Sequence, residues 1–591
     1  MKKASVICLV LPCILLIAAF SSSAHSERSQ HDESIFEKIK SEHEWLQKNL
    51  HVQSAETTAD SYKAMALTTQ PVDVEHYRLQ IQLVPVPARI AGTVTITGET
   101  TSAVNAINID AEANLIIDAV RLDGAARDFQ RTNNQVTLNF PGGLAAGSKF
   151  AIAVDYHAAP TTSNLLGGGM LVNTHGPDSS TVMATLSEPY AAPTWWPCID
   201  NPQDKATAEI EITVPKAFKA ASNGTLTREE SNLNSTTTYY WRENYPIATY
   251  LISVAATDYV KFEETYTALD GVTKMPLVYY AYPEHVDLAR LKFGVTRRAI
   301  EIFAPLFGEY PFLNEKYGMA EFPWGGAMEH QTITSMGTGI VGSLSNAGQS
   351  VIAHELAHHW WGDLVTMRTW NDIWLNEGFA TYSEVLFFER FSNLDPGELM
   401  ARSYDDGEVF GRMGGTVNAE NLNNPFDDRG AIYTKGGWVL HMLRHVLGDE
   451  KFFDALKDYR GRFSFGNAST KDFQEVAEAH YGAPLDWFFQ QWIYAPGRPN
   501  YKTSTKIEKT SASGDYQVTL TIKQKQSHAI PGRDKSVYIM PLDVTIHFAD
   551  GSRLTQVVRN DDRKQKFEIA VSKQPVEVIV DEGNWVLKKL R

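Results

Sequence analysis

The chain has 591 residues, 43% hydrophobic and 21% charged, which supplies apolar material for more than one core and excludes a long disordered protein. Its formal net charge of -16 is spread without long single-sign blocks, which excludes the basic stripe that a nucleic-acid partner requires.

In chain order, residues 1–24 read as a signal peptide. Lys2 and Lys3 form a positive start, Ala4 to Phe20 an apolar run, and Ser21 to Ala24 a set of small residues suited to cleavage near Ala24. An uncleaved anchor is the alternative, and lipidation at Cys13 is disfavoured by Pro12 before it. Removal of the leader takes Cys8 and Cys13 with it. Cys198 is then the only thiol, and the mature chain is predicted to be exported, periplasmic or secreted, with no internal disulfide and no stable membrane insertion. Residues 25–70 are polar and charged, a linker whose one amphipathic patch (Ile35, Ile39, Trp45, Leu46) predicts a short helix. From 71 to 259 apolar residues alternate with period two between Gly, Asn and Pro turns, which predicts an all-β domain. From 260 to 500 the pattern is helical, with segments predicted at 286–307, 349–364, 376–391 and 436–446. After the breaker Pro496-Gly-Arg-Pro, alternation returns and residues 501–591 are predicted to form a small β-sandwich. The glycines of Leu165-Leu-Gly-Gly-Gly-Met lack the setting of a phosphate loop and read as a turn.

The chemistry lies in the helical part. His354-Glu355-Leu356-Ala357-His358 places two imidazoles four residues apart, hence on one helix face, where both reach one zinc ion while Glu355 faces the water beside it. A catalytic zinc needs three protein ligands and an open position. Glu377, in Trp374-Leu-Asn-Glu-Gly-Phe-Ala, supplies the third: eighteen residues separate it from His358, enough to leave one helix and return on a second. Two imidazoles and a carboxylate suit zinc, with manganese or cobalt as substitutes. Protonation of the histidines predicts failure near pH 5. Glu384, two helical turns after Glu377, is either the acceptor for the free ring N–H of a zinc-bound histidine or a surface glutamate. His359, Trp360 and Trp361 read as packing residues.

With these residues in hand, the chain resembles the aminopeptidase N family of gluzincin metallopeptidases over residues 71–591. The resemblance rests on His354-Glu-Leu-Ala-His-His-Trp-Trp-Gly-Asp, the spacing to Glu377, Gly325-Gly-Ala-Met-Glu-His, Trp195-Trp-Pro-Cys-Ile-Asp and Trp492-Ile-Tyr-Ala-Pro-Gly. It implies a multidomain α+β fold: an N-terminal all-β saddle-like domain, a thermolysin-like, mainly helical catalytic domain and a C-terminal β-sandwich. It further implies that Glu329 binds the free α-amino group of a peptide, with Glu188 of Thr185-Leu-Ser-Glu-Pro as a second amine-binding acid. Gly326, Ala327 and Met328 would then pair with the peptide backbone by strand addition, and Tyr433 would donate a hydrogen bond to the developing oxyanion. Two departures stand out. His330 follows Glu329 where the family commonly has Asn, and Leu186 precedes Glu188 where relatives often carry Gln, which predicts a more apolar first pocket.

Three readings remain open at this level. The favoured one is an aminopeptidase with one zinc ion, Glu355 as general base, and peptides bearing a free N-terminus as substrates. The second is a hydrolase of another small substrate, such as an epoxide, or an endopeptidase. The third is a non-enzymatic peptide-binding protein on the same scaffold. Oligomeric state is not encoded in any pattern found.

Overall fold

The computed structural model describes residues 32–41, 70–132, 134–161, 168–343, 348–404, 417–418, 426, 428–510, 514–527, 530 and 536–590. The predicted leader, together with Trp45 and Leu46, lies outside the described residues. No helix among the described residues is long and apolar enough to cross a membrane.

Residues 72–257 are β-rich. The strand Val72–Pro85 carries a bulge between Val74 and His76 and alternates from Tyr77 on, burying Tyr77, Leu79, Ile81 and Leu83 while Arg78 and Gln82 face outward. It pairs antiparallel with Ala88–Thr100 and parallel with Ala206–Pro215 near the middle of an eight-stranded sheet. A second, four-stranded sheet runs in the order Lys219–Ser222, Val254–Thr257, Ser180–Leu186, Gly169–His175. It matters here because Glu188 follows its third strand directly, two residues past the buried Leu186. Trp195, Trp196 and Cys198 are buried beneath, with Trp196 packed edge-on against Tyr77 at 5.0 Å.

The region expected to be helical from residue 260 instead opens with a five-stranded sheet in the order Val260–Thr267, Lys274–Ala281, Tyr317–Phe322, Thr334–Gly337, Ala327–Met328. Its inner strands are buried on both faces, so they read as short apolar runs that periodicity cannot separate from helix. The run predicted at 286–307 is two helices, Val286–Phe293 and Thr296–Phe307, parted at Gly294, a weak helix former. Further on, helices stack around Trp374–Phe391, whose residues Trp374 to Phe388 are all buried.

The C-terminal part has two facing sheets, one holding Tyr516–Gln524 and the other Met540–Phe548. Val518, Leu520 and Ile522 on one and Leu542, Val544 and Ile546 on the other are wholly buried, each contributing about 1.5–3 kcal/mol of apolar burial. Gln491 ties this sandwich to the helical region by exchanging two hydrogen bonds with the backbone of Ile539 (2.8 and 2.9 Å). The linker helix spans 32–41 and is docked: Phe36 and Ile39 are buried, and the Arg402 guanidinium lies 4.2 Å from the centre of the Phe36 ring.

Candidate metal centre

His354 and His358 stand on the helix Gln349–His358, nearly all of which is buried. Their ring centres are 4.7 Å apart. The helix ends six residues before the predicted boundary because Gly362 adopts φ 148°, a conformation that L side chains rarely take, and a Cβ there would crowd the His358 carbonyl at 3.2 Å. That reversal turns the Trp361 carbonyl onto His358, which donates to it through Nδ1 (3.1 Å). His354 is engaged in the same way by Glu384, its Nδ1 lying 2.9 Å from Oε1. Each ring is therefore held by Nδ1 and presents Nε2 to the site.

Glu377 lies in the first turn of the helix Trp374–Phe391, buried, with Oε2 at 3.3 Å from Nε2 of His354 and 3.4 Å from Nε2 of His358. The ligand atoms of a tetrahedral zinc, each about 2.0–2.1 Å from the metal, are separated by about 3.4 Å. The spacing, the borderline-soft donor set and the two Nε2 atoms aimed at one carboxylate oxygen all fit that ion.

Around this triad stand three more carboxylates. Glu355 is 7% exposed, and its Oε2 has no hydrogen-bond partner among the described residues. Glu329 follows directly on the edge strand Ala327–Met328, is 3% exposed, and places Oε1 4.0 Å from Nδ1 of His358. Glu188 reaches in from the β-rich region, so that ligand atoms of Glu188, Glu329 and Glu377 lie within 4.8 Å of one another, as do those of Glu329, Glu355 and His358. Gly326 and half-buried Ala327 lie at the free edge of the five-stranded sheet, while Met328 is buried. Tyr433 sits in a single wide helical turn, Gly430–Lys435, with its ring stacked over His354 at 5.9 Å and 17°.

Backbone contact sets the last of these positions. Gly378, next to Glu377, meets Gly436 so closely that a Cβ on either would fall 2.9 Å from the other's Cα or carbonyl carbon. Glycine at both positions lets the Glu377 helix and the helix Gly436–Leu447 touch, which brings Tyr433 over His354. Gly378→Ala is expected to push the two helices apart and lower kcat at least tenfold with the far-UV CD spectrum retained, since displacement of about 1 Å in a catalytic site costs on the order of 10²-fold. Wild-type kcat in that variant would show that the close approach is dispensable.

The charges are mutually dependent. Burial pushes Glu355 up to about 8, against the pull of His354 and His358. Burial likewise raises Glu329, and raises Glu188 further because Glu329 and Glu377 face it. Burial disfavours charge on His358, yet Glu329 and Glu377 hold it up at about 9. Burial also opposes ionisation of Glu377, which the two histidines nevertheless hold down at about 2. In the metal-free protein the surrounding carboxylates therefore favour protonated imidazoles, and an incoming metal ion has to displace those protons. So many buried carboxylates around two imidazoles make a site suited to cations.

His330 turns away from this cluster's chemistry. It is fully buried, its Nδ1 shares a 2.8 Å hydrogen bond with Ser335, and burial pushes it down to about 3, so it is neutral and pins the turn after Glu329. Sequence reasoning missed Tyr404, whose hydroxyl donates to Oε2 of Glu384 at 3.0 Å, and Trp361 as the carbonyl holding His358. Tyr404 carries no motif and lies twenty residues from Glu384, so no local signal marks it.

A model of the peptidase M1 N-terminal domain matches residues 73–251, and one of the peptidase family M1 domain matches residues 292–492. Among curated proteins, the chain is 27% identical over 423 residues to "Probable aminopeptidase 2" of Sulfurisphaera tokodaii, covering 68% of this chain and 51% of that protein. It is 25% identical to "Leucyl aminopeptidase" of Saccharolobus solfataricus, covering 78% and 59% respectively. The chain thus spans about half the length of such relatives. Among solved structures, an M1 zinc metallopeptidase from Deinococcus radiodurans aligns with TM-score 0.61 at 26% identity, covering 72% of this chain and 95% of that one. Legionella pneumophila aminopeptidase A aligns with TM-score 0.74 at 18% identity, covering 89% and 60%, a likeness of fold. With both models of one family matched in order, and the histidine and Glu377 helices inside the second, the chain belongs to peptidase family M1.

Proposed function

We propose that this chain is an aminopeptidase with one zinc ion, held by His354, His358 and Glu377, that removes single residues, apolar or of broad type, from the N-termini of peptides. The observation that carries the reading is the position of Glu329. A buried carboxylate stands within ligand distance of His358 and Glu355, at the end of an edge strand whose outer side pairs with no other strand among the described residues. A carboxylate there pairs with a cationic α-amino group, and Glu188, within 4.8 Å of Glu329, adds a second acid, so that a peptide is held by its first nitrogen. The outer edge of the sheet at Gly326, half-buried Ala327 and Met328 receives the peptide backbone as an added strand.

Zinc, when bound, supplies Lewis acidity to the scissile carbonyl and lowers the pKa of water. Glu355 takes the water's proton and returns it to the departing amine; its Oε2, without a hydrogen-bond partner among the described residues, is available for both transfers. Tyr433 donates a hydrogen bond to the oxyanion without adding a second charge. Burial raises its hydroxyl pKa well above the usual value, which keeps it a donor at neutral pH. The leader-like run at residues 2–24 supports export to the periplasm or the medium.

The test is chromophore release from aminoacyl amides, with and without a chelator, against the same amides blocked by N-acetylation. Free amides are expected to be cleaved in a chelator-sensitive way, and blocked amides at least 100-fold more slowly. Equal cleavage of both would remove the exopeptidase reading.

A further inference from the structure

Glu384 is buried, with Oε1 2.9 Å from Nδ1 of His354 and Oε2 accepting the Tyr404 hydroxyl at 3.0 Å. A carboxylate engaged at both oxygens cannot swing about its last bond, so the imidazole it faces is fixed in tilt and tautomer. Tyr404 is 1% exposed and closes the helix Pro396–Ser403, where its carbonyl accepts the indole N–H of Trp438 at 3.2 Å. Two residues earlier on the same helix, Arg402 donates to Glu33 at 2.6 Å and covers the ring of Phe36. Both belong to the docked helix 32–41, which lies outside the stretches matched by the family models.

We propose that Tyr404 is a positioning residue for the metal ligand His354, acting through Glu384, and that the helix 32–41 secures it by holding the end of the helix Pro396–Ser403. The proposal rests on the reading of His354 as a zinc ligand. Tyr404 has no contact with substrate in this scheme. A tyrosine that only filled space would have no need of its hydroxyl, whereas here the hydroxyl satisfies a buried carboxylate oxygen.

The experiment uses the full chain stripped of metal, zinc alone as the probe, and competition with a chromophoric chelator to read the zinc Kd. The metal-free Tm is read in parallel. Tyr404→Phe keeps the ring and removes the hydroxyl; it is expected to weaken zinc binding about tenfold, together with a modest fall in the metal-free Tm because a buried carboxylate oxygen loses its donor. The double variant Glu33→Ala with Phe36→Ala is expected to weaken zinc in the same direction by less, and to add nothing in the Tyr404→Phe background. A zinc Kd for Tyr404→Phe within twofold of wild type, or a loss that appears only as a lower Tm, overturns the positioning role. An unchanged Kd in the double variant overturns the part assigned to the helix. If the wild-type chain itself binds no zinc, the zinc reading fails, a result distinct from either.

Discussion

Glu355→Gln is expected to lower kcat by about 10²–10⁴, the usual contribution of a positioned general acid–base, while KM and zinc content stay near wild type. The substitution is nearly isosteric and removes only the ability to carry the proton. Its consequence for stability has a definite sign. Burial raises Glu355 from 4.5 to about 8 in the metal-free protein, so between those values the folded state holds a proton that the unfolded chain has released. The contribution of this group to stability therefore falls as pH rises from 4.5 toward about 8. The glutamine carries no such proton, so the metal-free variant is expected to melt above metal-free wild type at pH 8 and to lose that advantage at pH 5. Steady-state kinetics on an aminoacyl amide, zinc analysis and calorimetry at the two pH values check the three parts. Wild-type turnover in Glu355→Gln would end the proposed proton route.

Glu329→Gln is expected to cost about 10²–10³ in kcat/KM on substrates with a free α-amino group, because removing one partner of a buried charge pair costs on the order of 3–5 kcal/mol. The slow cleavage of N-acetylated amides should change little, so the ratio between free and blocked substrates collapses from above. Glu188 remains as a second acid within 4.8 Å, which places the effect toward the lower end of that range. The measurement is kcat/KM on matched free and acetylated amides. A variant that lost activity on both equally would mark Glu329 as structural, and the choice between trimming an end and cutting within a chain would have to rest on other residues.

Much of the site is legible in the chain because helical periodicity is a local rule. His354 and His358, four residues apart, share a face whatever the rest of the protein does, and Glu355 beside them follows the same rule. Strand alternation is local in the same sense, so the β-rich flanks of the fold could be read from residues 72–257 and 500–590. The buried strands Lys274–Ala281 and Tyr317–Phe322 escaped because a strand covered on both faces loses its alternation, and short apolar runs read equally well as helix. Glu384 could be placed two turns from Glu377 but not decided between a zinc-bound histidine and solvent, since a fraction of a turn of rotation determines whether a helical residue meets solvent or a neighbouring helix.

The chain alone shows the candidate donor residues, the spacing that lets two imidazoles face one ion, and the order of β-rich, helical and β-rich regions. Packing between elements sets which nitrogen each histidine offers, because the Trp361 carbonyl and Glu384 occupy Nδ1 and leave Nε2. It decides the convergence of Glu188 and Glu329 from separate sheets, and the seating of Tyr433 through the contact of Gly378 with Gly436. It also gives His330 a neutral role in the turn behind Glu329. The physical reason is common to all of these: chain geometry fixes neighbours within one or two turns, whereas contacts across elements depend on packing that no local pattern records.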